Sequence, residues 1–159
     1  MPIPFRELDE PLDRNSAAFL RILERDGGFA AALLIVNACA EPLEFVYNTL
    51  ELPATSLCPP GRLPGYAAAR LVRSLFEAAR GAPDVLVFLP EEAGSELFTR
   101  RIEMGIPAVA LHPDGTWNWY GEEPESGSVA SALIDRYQTT GTLLATADRA
   151  AAGLGLVLS

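Results

Sequence analysis

Four side chains in this sequence have the right chemistry to hold a metal ion: Glu91, Glu92, His112 and Asp114. Carboxylates and an imidazole are donors for Mg²⁺, Mn²⁺ or Zn²⁺, and a metal-bound water can attack an ester or phosphoester. The glutamates follow the apolar run "VLVFL", and His112, the single histidine, closes the run "IPAVALH". If both runs are parallel strands, these residues lie beyond their carboxyl ends, where open α/β sheets bind ligands. Their spacing matches no motif of known mechanics. Solvated glutamates in a turn and a hydrogen-bonded structural histidine would leave the same trace. A metal-dependent hydrolase, with a divalent metal as its cofactor, is therefore the alternative expectation.

Other catalytic chemistries find fewer residues. All twelve basic residues are arginine, which removes Schiff-base chemistry and a P-loop lysine, because both need an amine. There is no G-x-S-x-G elbow. Cys39 and Cys58 stand apart, without C-x-x-C spacing, and read as small buried apolar residues.

Binding chemistry is better represented. The stretch "HPDGTWNWYGEE" holds both tryptophans. Pro-Asp-Gly is a turn signal, since proline fixes φ, aspartate caps its own backbone and glycine supplies positive φ. "TWNWY" then alternates as an edge strand, with Trp117 and Trp119 on one face and Asn118 and Tyr120 on the other. Aromatic residues beside the charged "GEEPE" resemble the core and rim of a binding surface. Tryptophans that simply complete the core under the last helices would fit the same pattern. Arg70, Arg73 and Arg80 offer a second contact face for an acidic or phosphorylated partner. The leading expectation is a non-catalytic binding or accessory subunit without a cofactor, acting in a homo- or hetero-oligomer.

A formal net charge of −9 opposes binding to nucleic acid or anionic lipid, whose phosphates it would repel. The N-terminal residues lack the basic and apolar regions of a secretory signal. The run "FAAALLIVNACA" is short of the roughly 20 residues a membrane-spanning helix needs. A cytoplasmic protein without membrane contact is expected.

The positioning elements read as one α/β domain over 1–159, a mixed sheet with helices packed on its faces. Residues 1–12 form a loose arm. A first helix starts at Asp13 or Asn15, carries Phe19, Ile22 and Leu23 on one face, and stops at Gly27-Gly28. Residues 29–37 and 43–52 read as an antiparallel hairpin, with a bulge or a change of cover in its second strand. A proline-rich loop spans 53–65. "YAAARLVRSLFEAAR" carries a helical apolar stripe that includes Leu71, Val72, Leu75 and Phe76. Residues 85–89, a short helix capped by Ser95, and "IPAVALH" make a parallel βαβ unit. Ser126 or Ser128 caps a helix with Val129, Ala130, Leu133, Ile134 and Tyr137 inward. "TLLATADRAAAG" is another helix, and "LGLVLS" a short strand or apolar tail.

The order hairpin, loop, "RLPGYAAARLV" helix and "PDVLVF" strand resembles a segment of endonuclease V and its RNase H-like relatives. The resemblance implies an aspartate in the first strand. Residues 29–36, taken as that strand, contain no acid; Asn37 is the nearest polar group, and only Glu91 or Glu92 falls near another expected acid. On this resemblance the chain would be a catalytically inactive copy of the fold, since two-metal chemistry lacks its bridging ligand.

Overall fold

A computed structural model describes residues 14–25, 28–51, 63–92 and 105–159. The expected arm, most of the proline-rich loop with Cys58, and the Ser95-capped helix lie outside these residues. Six strands form one mixed sheet: β1 (Ser16–Arg25), β2 (Gly28–Asn37), β3 (Pro42–Glu51), β4 (Val85–Phe88), β5 (Ala108–Leu111) and β6 (Trp117–Tyr120). Their order is β3-β2-β1-β4-β5-β6. β2 is antiparallel to β1 and β3, β4 is parallel to β1 and β5, and β6 is antiparallel to β5. Among the described residues, three helices cover it: α1 (Leu63–Ala78), α2 (Val129–Thr139) and α3 (Leu143–Leu158). The fold is α/β, as expected, with an antiparallel hairpin and a parallel pair. No single helix among the described residues is long and apolar enough to cross a membrane.

The first element corrects the sequence reading. Ser16–Arg25 is a strand, not a helix, paired with β2 along its full length from Ser16↔Asn37 to Arg25↔Gly28. Ala18, Leu20 and Ile22 enter the core under α1, while Ala17 and Phe19 enter the opposite core under α2 and α3. A central strand covered on both faces loses polar alternation, and the Phe19/Ile22/Leu23 spacing imitates a helix face; Leu23 is in fact exposed. The overlooked signal is Asp26-Gly27, a hairpin dipeptide between two apolar runs; both residues lie outside the described ones.

The expected second hairpin is present as β2–β3. Its turn is organised by Asn37, whose Oδ1 accepts the N–H groups of Cys39 and Glu41, both at 2.9 Å. Tyr137 is fully buried on α2, and its hydroxyl donates to the Asn37 carbonyl at 2.7 Å. Burial pushes that phenol well above its ordinary pKa. Cys39, expected to be buried, is exposed in this turn, where hydrogen bonding rather than apolar packing sets the conformation. The register shifts between Ile35 and Val36, opposite Leu43. β3 also changes cover: Val46 and Leu50 pack toward α1, Phe45 toward α3.

Two boundaries and one burial differ from expectation. α1 begins at Leu63, inside the expected loop; Pro64 sits in the first turn, where a missing N–H costs no helical bond. Ser128 is the α2 cap, accepting from Ser131 N–H at 3.3 Å, but Val129 is exposed rather than inward. The first residue after a cap lies outside the stripe formed by Ala130, Leu133, Ile134 and Tyr137. α3 continues through "LGLVL" to Leu158 instead of ending in a strand or tail. Gly153 is a packing position, not a stop: a Cβ there would lie 3.2 Å from the Phe45 ring.

Two substitutions, one in β2 and one in the β2–β3 turn, should change stability in opposite directions. A Cβ at Gly28 would meet the Leu50 carbonyl oxygen and the Glu51 Cα, both backbone atoms. Gly28→Ala should therefore cost about 1–3 kcal/mol by overpacking. Ala40 has φ of 61°, and Ala40→Gly should add about 1 kcal/mol by relieving the left-handed conformation. Urea unfolding midpoints of both variants check these values.

Candidate functional site

The carboxyl ends of β1, β4 and β5 bring Arg21, Glu91, Glu92 and His112 to one end of the sheet. The sequence singled out the last three but not Arg21. Arg21 occupies the β1 position where Ala17 and Phe19 predict a side chain in the α2/α3 core, so its charge demands a partner. Glu92 is that partner. Arg21 Nε donates to both Glu92 oxygens, at 3.1 and 3.2 Å, and Nη1 donates to the Ala147 carbonyl of α3 at 2.8 Å. Both side chains are largely buried, with 15% and 17% exposure; exposed Asp148 lies 3.7 Å from Nη1. Burial raises the Glu92 pKa, outweighing the attraction and hydrogen bonding of Arg21 that lower it. The lone charge within the apolar run 17–23 shows that Arg21 needs a partner once residues 16–25 are taken as a strand, but not that Glu92 supplies it.

Glu91 turns the other way, toward β5. Its Oε1 lies 3.1 Å from His112 Nδ1, while His112 Nε2 lies 3.1 Å from Asn118 Oδ1 on β6. The Asn118 amide is oriented by its Nδ2, which donates to the Trp119 carbonyl at 3.2 Å. An ionised carboxylate and an amide oxygen both accept, so satisfying them together requires N–H on both ring nitrogens. With the Asn118 amide in this orientation, protonation of the ring satisfies both partners. Hydrogen bonds to Glu91 and then Asn118 raise the His112 pKa, and the bond from His112 lowers that of Glu91.

Asp114 serves its own turn. Its Oδ1 accepts from the Thr116 N–H at 2.9 Å and hydroxyl at 2.6 Å, and these bonds lower its pKa. Gly115, at φ 92°, completes the expected Pro-Asp-Gly turn. The four proposed metal ligands thus have three different engagements. Among the described residues, no group of three or more His, Cys, Asp or Glu side chains is arranged to hold a metal ion. Both ring nitrogens of His112 and both oxygens of Glu92 are already engaged by protein partners, so this donor set as arranged does not fit the divalent cation that the hydrolase expectation requires.

The aromatic set divides as its alternation predicts. Trp117 and Trp119 pack against the core that includes Leu133 and Ile134 of α2, and meet edge to face with centroids 5.5 Å apart. Tyr120 is on the opposite face, edge to face with Phe88 at 5.3 Å. All three are half-buried. Arg70, Arg73 and Arg80 are exposed, but they lie beside β3, at the other edge of the sheet. The aromatic and arginine residues therefore do not form one surface.

No protein-family model and no curated protein matches this chain. Several solved structures do resemble it. Endonuclease V from Bacillus subtilis is 14% identical, with a TM-score of 0.42 over 62% of this chain and 44% of its own. Endonuclease V from Streptomyces avermitilis is 16% identical, with a TM-score of 0.44 over 70% of this chain and 57% of its own. A protein of unknown function from Archaeoglobus fulgidus is 10% identical, with a TM-score of 0.43 over 80% of this chain and 69% of its own. The chain spans about half the length of the two endonuclease V structures it matches. The first strand is β1 rather than residues 29–36; its only acid is Glu24, which is exposed.

Two predictions follow from the paired charges. The His112 link should be intact below the ordinary histidine pKa and lost as pH rises through the raised value. At the acid end it should be lost as pH falls through the lowered Glu91 value. An NMR titration of the His112 ring should show an upward displacement that Glu91→Gln reduces. For the buried pair, Glu92→Ala should cost about 3–5 kcal/mol by stranding Arg21, whereas the double substitution Arg21→Met/Glu92→Leu should recover most of that loss. A double-mutant cycle by chemical denaturation reads the difference.

Proposed function

We propose that the protein is a binding subunit that engages a protein partner through β6. The observation carrying this reading is the Trp117–Trp119 pair: two rings in edge-to-face contact, half-buried on a strand at the end of the sheet. Such a pair offers a large apolar area whose orientation is already fixed, which limits the ordering cost of binding. The exposed Glu122, Glu123 and Glu125 follow in the next loop and supply a charged rim that favours a partner with basic residues.

The metal-dependent hydrolase is the second reading. Its supporting observation is the adjacency of Glu91 and His112 at the carboxyl ends of neighbouring parallel strands. The engagement of both imidazole nitrogens weighs against it.

Affinity capture of the tagged chain from its host lysate, with protein and metal analysis of the eluate, separates the two readings. The expected result is a stoichiometric protein partner that is lost on Trp119→Ala while the variant's thermal melt remains cooperative. Trp117→Ala should reproduce the loss. A partner-free eluate carrying one equivalent of metal, abolished by His112→Ala, would replace the binding reading with the hydrolase one.

A further inference from the structure

The opposite edge of the sheet has a different design. β3 is ten residues long, against four for β6, and among the described residues its hydrogen-bonded neighbour is β2 alone. The Ser16 carbonyl accepts from Asp84 N–H, on the β4 side of β1. Alternation across the antiparallel ladders then turns the N–H and C=O groups of Phe45, Tyr47 and Thr49 away from β2. Consistently, the Thr49 N–H takes a bond from outside the ladder, to Asn48 Oδ1 at 2.9 Å. Phe45 and Tyr47 retain outward-facing backbone groups in the regular part of the strand, beyond the shift opposite Leu43.

Exposed apolar residues occur on β3 and at the end of α3. Leu43, Tyr47, Leu156 and Val157 are 60%, 49%, 76% and 40% exposed. Tyr47 is in register with Ala32, which packs with Leu154 and Leu158 of the last turns of α3.

The charges show what fits there. Asn48 Nδ2 donates to Ser74 Oγ at 3.0 Å, and Arg80 N–H donates to Glu44 at 2.8 Å, so α1 runs antiparallel to β3. Arg70, one turn before Ser74, and Arg73 therefore stand beside the end of β3 where Glu51 lies. Glu41, Glu44 and Glu77 outnumber Arg80 and Arg149 at the other end, where Arg149 donates to the Ala40 carbonyl at 2.9 Å. A two-fold axis through an antiparallel strand pair sets each acidic end against the other copy's arginine end, a self-complementary arrangement.

We propose that β3 is a self-association edge, where two copies of this chain join their sheets antiparallel about a two-fold axis near Val46. Phe45 of each copy pairs with Tyr47 of the other through their outward backbone groups, and the aromatic side chains form cross-strand pairs. In this register Glu44 faces Asn48, while Glu41 of one copy comes opposite Glu51 of the other, where Arg70 and Arg73 stand beside Glu51. The proposal is independent of β6, which stays free at the far edge of each sheet.

Sedimentation equilibrium of the full chain at micromolar concentration tests it. The expected species has twice the 17.0 kDa chain mass. Tyr47→Pro removes an outward N–H without removing a β2 bond and should give a monomer with unchanged circular dichroism; should that variant misfold, Tyr47→Lys provides the same reading. Arg70→Glu and Glu41→Arg should each weaken the dimer about a hundredfold, about tenfold for each of the two symmetry-related charge pairs lost, and the combination should restore it. A monomer throughout this range, or a dimer indifferent to Tyr47 and to the charge reversals, overturns the proposal. A dimer abolished by Trp119→Ala but not by the β3 variants would place self-association at β6 instead. Capture of no partner sensitive to Trp119→Ala, with an intact dimer, would sink the binding reading alone.

Discussion

β1 is hydrogen-bonded along both edges and covered on both faces, and the placement of every other strand depends on it. Its antiparallel bond to β2 extends the sheet toward β3, while its parallel bond to β4 extends it toward β5 and β6. Its alternate side chains divide the interior into two cores, with Leu20 and Ile22 toward α1 and Phe19 toward α2 and α3. A strand in this position leaves no room for an unpaired charge. Arg21 is tolerated there because Glu92 and the Ala147 carbonyl satisfy its guanidinium.

That requirement also shapes the end of the sheet where chemistry was expected. Glu92 is drawn inward to neutralise Arg21, which separates it from Glu91. Glu91 instead meets His112, and Asn118 takes the other ring nitrogen. Residues that look like a donor set in one dimension thus become links between β1 and β4, between β4 and β5, and between β5 and β6. A carboxylate beside a guanidinium and an imidazole between two acceptors are already satisfied by their protein partners, and a cation would have to displace them.

The two edges of the sheet meet opposite demands. β6 is short and carries aromatic side chains held against the core, so its binding capacity resides in side-chain surface. β3 is long and has a register shift near its start and a side chain over the Thr49 N–H. Both features restrict strand addition and concentrate the free backbone groups around Phe45 and Tyr47. The arginines of α1 lie beside this second edge because the Asn48–Ser74 and Glu44–Arg80 bonds fix the helix direction.

Local patterns in the sequence determined the elements whose signals are self-contained. The α1 stripe, the β2–β3 hairpin, the Pro-Asp-Gly turn, the Trp/Asn/Trp/Tyr alternation and the Ser128 cap each depend on residues a few positions apart. β1 required tertiary structure, because apolar residues on both faces erase the period that distinguishes strand from helix. The course of α3 past Gly153 was likewise settled by Phe45, more than a hundred residues earlier, whose ring needs a position without a Cβ. The partners of Arg21 and His112 are also remote in sequence. Composition can show that a charge will need a partner, but only the packing of strands and helices decides which atom supplies it.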